Sequence, residues 1–125
     1  MAKGNKQQPT KEAKELAGLL QILKGLMSSK LGNDRIARWV VQLLLDMRET
    51  QIYGLSTKEV TSYSIKMKAA VELARNHTTQ ELENTIEKRK TMTKLTPKEE
   101  QIVKLINNIK GTTAEQWLKD YMAQK

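Results

Sequence analysis

A Ser or Thr followed three residues later by Glu occurs at four evenly scattered points of this chain: Ser56/Glu59, Thr78/Glu81, Thr96/Glu99 and Thr112/Glu115. In such a pair each side chain takes the other residue's backbone N–H, satisfying donors that a helix leaves open at its first turn. Pro97 directly after Thr96 strengthens that start, because its missing N–H costs nothing at the first helical position. Each pair precedes apolar residues spaced by three and four, the period of a helix face. No segment alternates with period two, so the chain reads as all-α.

The spacing predicts about six short helices. The first ten residues are polar and basic after Met1 and hold too little apolar surface to repay ordering, so 1–10 reads as a mobile basic arm. Helix 1 is expected from about Thr10 to Leu31, with Leu16, Leu19, Leu20, Leu23, Leu26 and Met27 as its inner stripe. Gly18 and Gly25 lie seven apart on another face. Gly inside a helix costs ~1 kcal/mol, so the pair is expected where a second helix comes close. Gly32-Asn33-Asp34 is a stop followed by a cap. Helix 2 is expected over about 34–50, with Ile36, Trp39, Val40, Leu43, Leu44 and Met47 inward. Val41, Leu45 and Ala37 widen that arc, which points to a central helix or a subunit interface.

Helix 3 is expected from Ser56 to near Asn76, burying Val60, Tyr63, Met67, Ala70, Val71 and Ala74. Helix 4, about 79–91, has acids first and bases last, as the helix dipole prefers, and only Leu82 and Ile86 to anchor it. Lys90 to Lys94 is the expected hinge. Helix 5 (97–110) buries Ile102, Val103, Ile106 and Ile109; helix 6 (113–123) buries Ala114, Trp117, Leu118, Tyr121 and Met122. The expected organisation is a four-helix body over 11–92 and a helical hairpin over 93–125. So short a hairpin cannot hold a core alone, so it docks on the body or on a partner chain.

Composition narrows the chemistry. Among 125 residues there is no Cys and one His. Disulfides, thiol nucleophiles and Cys-based zinc sites are thereby excluded. His77 stands four residues before Glu81, but two ligands do not make a metal site, and it reads as a turn residue. Asp46 on helix 2 reads as a solvated flank, with Arg38 or Arg48 as conceivable partners. No Gly-rich phosphate loop or metalloprotease motif is present. The expectation is a protein that is not an enzyme, with no catalytic residues, no metal and no cofactor. No run approaches the ~20 apolar residues that cross a bilayer. Leu16 to Met27 carries Gln21 and Lys24, unlike a secretory signal, so a cytoplasmic location without membrane contact is expected.

Charge points to a partner. Lys and Arg total 22 against 14 Asp and Glu, a net charge of +8. The excess is uneven: +4 in residues 1–33, zero in 34–55, and +2 in each of the two remaining stretches. A basic arm with basic helix faces is the usual footprint of a nucleic-acid binder. Helix 2, the turn 51–55 and helix 3 have helix-turn-helix spacing, and helix 3 turns Thr57, Lys58, Thr61, Ser62 and Lys66 outward. The expected contact residues are therefore Lys3, Lys6, Lys11 and Lys14 in the arm and helix 1, and Lys58, Thr61, Ser62 and Lys66 in helix 3. Helices 5 and 6 around Gly111 form a second such pair, but Glu115 and Asp120 would repel phosphate.

The expected function is that of a small non-enzymatic DNA-binding or DNA-packaging accessory protein of phage, plasmid or bacterial type, a homo-oligomer meeting at helix 1 or helix 2. The alternative is a protein–protein adaptor or inhibitor that uses the amphipathic helix 1 and the C-terminal hairpin. The ten residues Lys94 to Val103 (KLTPKEEQIV) resemble the opening helix of phage small-terminase DNA-binding domains. In that family a full helix-turn-helix follows; here a single short helix follows.

Overall fold

The computed structural model describes residues 10–32 and 34–124. They form seven α-helices: α1 (Lys11–Leu26), α2 (Arg35–Leu45), α3 (Glu49–Tyr53), α4 (Thr57–Asn76), α5 (Thr79–Thr91), α6 (Pro97–Lys110) and α7 (Ala114–Met122). A π-helical turn, Met27–Leu31, prolongs α1. There is no strand among the described residues. The expected arm, with Lys3 and Lys6, lies outside them except for Thr10.

The helix starts follow the capping chemistry. Thr10 accepts the Ala13 N–H at 3.0 Å, and Asp34 accepts the Ala37 N–H at 2.8 Å. The boxes at Ser56/Glu59, Thr78/Glu81 and Thr96/Glu99 close in both directions. The fourth does not. Gly111, left-handed at φ 70°, and Thr112 both donate to the Asn107 carbonyl. Thr112 is thus spent on ending α6, and Thr113 caps α7 through the Gln116 N–H instead.

Two helices depart from the expected lengths. Helix 2 ends at Leu45, where the Asp46 and Met47 N–H groups turn back onto the Gln42 and Leu44 carbonyls. After this break α3 points Ile52 into the core with no exposed surface, and Gln51 accepts the Arg48 N–H at 2.7 Å. A single helix over 34–50 would leave Ile52 without such a path inward. This gives seven helices where six were expected. It also interrupts the expected helix-turn-helix of helix 2 and helix 3, because the short α3 stands between them. At the end of α1, the Ser29 hydroxyl donates to the Gly25 carbonyl at 2.8 Å. That bond competes with the regular ladder where it widens into the π-turn.

α4 is the central element. α1 lies along one flank and runs parallel to it: Glu12 and Glu15 share a cleft with Thr61, and the Lys30 ammonium reaches the Arg75 carbonyl. α6 lies along the other flank and runs antiparallel, with Gln101 near Glu72 and Gly111 beside Lys66. α2 packs against α1, α5 and α6, and α7 closes on α5 and α6. Leu16, Leu20, Leu23, Met67, Leu73, Leu82, Ile102 and Ile106 are enclosed at the centre. Burying each such side chain contributes ~1.5–3 kcal/mol before entropy is counted.

Several side chains differ from their expected placement. Gly18 and Gly25 face solvent, and a Cβ on either meets nothing within 4 Å, so no helix among the described residues approaches there. Leu105 joins the core of α6 while Val103 stays half-buried. Leu43 is 74% exposed and Met122 49% exposed, although both fit an inner stripe by spacing. α5 is held by more than Leu82 and Ile86: Thr85 is buried, and ion pairs Lys98–Glu81 (2.8 Å), Lys88–Glu99 (2.9 Å) and Arg89–Glu115 (3.6 Å) tie it to α6 and α7.

Candidate nucleic-acid interface

The expected contact residues divide between different faces. Lys11 and Lys14 stand exposed at the start of α1. Lys58, Thr61 and Ser62 are exposed on the first turns of α4. Thr61 lines the α1–α4 cleft together with Glu12 and Glu15, and its hydroxyl donates to the Thr57 carbonyl at 3.1 Å. Phosphate would meet two carboxylates in that cleft. Lys66 is half-buried on the opposite flank, toward α2 and α6. Lys66 is thus separated from Thr61 by the body of α4.

What gathers around Lys66 is a cationic surface that the sequence pattern did not disclose. α2 turns Arg35, Arg38, Trp39, Gln42 and Leu43 outward over one side of the molecule. With Lys110 of α6 these residues line an open hollow of about 550 Å³. A smaller hollow of about 110 Å³ on the far side of Leu43 is lined by Tyr63, Lys66, Ile109 and Lys110, among others. A third, about 390 Å³, lies beyond Arg38 and includes Lys24 and Ser28. None of the residues lining these three hollows is acidic. Arg35, Arg38, Lys24 and Lys66 enter no ion pair among the described residues.

The floor of this surface is held by an aromatic cluster. The Trp39 ring meets the edge of Tyr121 at 4.9 Å between centroids and lies 6.1 Å from Trp117. The fully enclosed Trp117 donates its Nε1–H to Asn107 Oδ1 at 2.6 Å. Asn107 thereby gains a structural reason at a position where helix-turn-helix packing would favour a small residue. Lys110 Nζ sits 4.1 Å from the Trp39 ring centroid and donates to the Trp39 carbonyl at 2.8 Å. Burial pushes its ammonium below the usual lysine range, and the Asp120 carboxylate offsets part of that shift. Lys110 therefore fixes Trp39 and the shape of the hollow, while Arg35 and Arg38 remain available to a ligand.

The other chemically conspicuous residues line none of the three hollows. Asp46 accepts from Gln42 Nε2 at 2.8 Å, not from Arg38 or Arg48. His77 is buried between α4 and α5, with Nδ1 3.3 Å from Glu81 Oε1. Among the described residues no three His, Cys, Asp or Glu side chains are grouped to hold a metal, and no helix is long and apolar enough to cross a membrane.

No protein family, curated protein or solved structure matches this chain. The resemblance of residues 94–103 to the small-terminase helix thus rests on those ten residues alone.

Why the sequence did not disclose the α2 surface is physical. Residues 34–55 carry no net charge, so the segment looked neutral. Folding sorts it in part: Arg35 and Arg38 line the hollow, Asp34 caps α2, and the exposed Asp46 accepts from Gln42 one turn further on and lines none of the three hollows. A helical plot of α2 places Arg35, Arg38 and Gln42 on one stripe, which was the available signal.

Proposed function

We propose that the protein is a small, non-enzymatic nucleic-acid-binding accessory protein that holds a phosphate backbone on its α2–α6 side. One observation carries this reading: Arg35, Arg38, Lys66 and Lys110 converge on adjoining hollows lined by no acid. Arginine suits the role, because its planar fork matches phosphate oxygens in pairs and is weakly hydrated. Lys24, beyond Arg38, extends the track. Lys11, Lys14, Lys58 and Ser62 contribute outlying charge and hydroxyl contacts, in keeping with the net charge of +8. The competing adaptor reading has less support, because the apolar stripe of α1 that would dock in a partner is buried against α4.

The test is duplex DNA binding across a salt series. Affinity falls steeply as salt rises, with a log–log slope of about −0.9 for each phosphate contacted. The double variant Arg35→Glu/Arg38→Glu loses at least two of those contacts, so its slope flattens by roughly 2 and its affinity falls by tenfold or more at moderate salt. Lys58→Glu, at a residue that lines none of the three cationic hollows, has a smaller effect. No retention of DNA at low salt sinks the proposal. A larger loss from Lys58→Glu than from the arginine pair moves the interface to the start of α4.

A further inference from the structure

Leu43 is 74% exposed, while its helix neighbours Val40 and Leu44 are each 2% exposed. It forms a ridge between two hollows. On one side stand Arg35, Arg38 and Gln42; on the other stands Lys66; Lys110 borders both. An aliphatic ridge with cations on each side has the layout needed to straddle the minor groove of DNA. That groove is about 6 Å wide and is bordered by the phosphates of the two strands. Aliphatic side chains that enter it part a base step and kink the duplex toward the major groove. Basic side chains to either side then hold the phosphates that border the opened groove.

We infer that Leu43 is a minor-groove wedge, so that this protein bends the duplex it binds, with Arg35 and Arg38 on the phosphates of one strand and Lys66 on those of the other. The inference rests on the nucleic-acid reading above and adds to it the groove, the strandedness and the mechanical result. Leu43 is suited to the task because its support is rigid. α2 is anchored beneath it by Val40 and Leu44, and beside it by Trp39 packed on Trp117 and Tyr121. A side chain set so firmly spends little conformational freedom when it inserts. The ridge offers only one apolar side chain, so base preference comes from how easily a step unstacks. Flexible pyrimidine–purine steps are the favoured sites.

The experiment uses the full chain and a short duplex with a fluorescence donor and acceptor at its ends. Saturating protein raises energy transfer, as the ends approach. Leu43→Ala removes only an exposed side chain, so the fold persists. It keeps the wild-type salt slope, since no cation is lost, and at saturation it leaves energy transfer at the free-DNA level. Leu43→Met, which keeps an aliphatic wedge, restores the bend. Wild-type energy transfer with Leu43→Ala at saturation overturns the wedge and leaves the nucleic-acid reading standing. Absence of DNA binding by wild type overturns both. Leu43-dependent binding of an acidic amphipathic peptide, with no bending of DNA, overturns the wedge in favour of a protein partner.

Discussion

The two flanks of α4 are built from similar materials and end with opposite characters. On the α1 flank, Thr61 and Lys68 share a cleft with Glu12, Glu15 and Ile65. Two carboxylates meet one ammonium there, so the cleft is not cationic. On the α2–α6 flank, Lys66 joins Lys110, Arg35 and Arg38, and the hollows they line contain no carboxylate. The contrast shows that net charge along a segment is a poor guide to charge on a face. Residues 1–33 hold +4 yet place two glutamates beside α4, whereas the neutral segment 34–55 supplies the two arginines. What decides is where each side chain is set: Asp34 is turned into the α2 cap and the exposed Asp46 is held by Gln42 without lining a hollow, whereas Glu12 and Glu15 line theirs.

The sharpest way to break the contrast is to collapse one flank while sparing the other. Trp117→Ala removes the fully enclosed ring beneath Trp39 and leaves Asn107 without its donor. The expected loss of stability is about 3–5 kcal/mol, as for other buried aromatic truncations. The fraction that stays folded binds DNA more weakly, because Trp39 and the hollow lose their support. Leu20→Ala, on the buried face of α1, costs a comparable ~2–5 kcal/mol and leaves the affinity of the folded protein unchanged. Denaturant titration of both variants, followed by binding in mild conditions, checks this. Equal losses of affinity in the two variants would mean that the flanks are not mechanically distinct.

How far the sequence disclosed these flanks depends on the range of the interaction. Local chemistry was readable. The all-α class, the starts at Ser56, Thr78 and Thr96, and the end of α4 at Asn76 all follow from contacts within a few residues. The failures are non-local or competitive. Thr112 fits a box by spacing, but Gly111 and Thr112 serve the end of α6 first. Helix 2 looked continuous because nothing in 46–48 forbids a helix; the burial of Ile52 makes the break worthwhile. Leu43 fits the inner stripe of α2 by period alone and is left outside by where α6 lies. For the binding surface, Lys66 was readable as a basic helix residue, but its neighbours Arg35, Arg38 and Lys110 come from helices far apart in the chain.

Acid provides a milder way to sharpen the comparison, because it acts on the ties that seat α6. Glu81 is held below the usual glutamate range by the Lys98 ammonium and the Thr78 N–H. Glu99 is held below it by the Thr96 N–H and the Lys88 ammonium. A carboxyl whose pKa is lower folded than unfolded adds stability above the ordinary value of about 4.3, and that addition is lost as pH falls through the folded value. The melting temperature is therefore expected to fall below about pH 4.3, with amide exchange rising first at the α5–α6 junction. The pair Glu81→Gln/Glu99→Gln is less stable at neutral pH and shows a flatter acid limb. A double variant with the acid limb of wild type would place the acid-sensitive ties elsewhere.

The smallest effect concerns the α1 flank and has the opposite sign. Gly18 and Gly25 interrupt α1 on a face where a Cβ meets no atom within 4 Å. Neither has a positive φ, so alanine fits the backbone without strain. Each Gly→Ala change should therefore stabilise the protein by about 0.5–1 kcal/mol, because alanine loses less freedom on joining a helix. Thermal melts in dilute solution should rise by a few degrees for the double variant. Gly111→Ala is the control: its φ of 70° and the Lys66 ammonium 3.0 Å from the added Cβ make that change destabilising. Should Gly18→Ala or Gly25→Ala lower the melting point instead, with the loss growing at higher protein concentration, the exposed strip around Ile22 must be covered by a second copy. The α1 flank would then be a subunit contact, and the two sides of α4 would differ in partner as well as in charge.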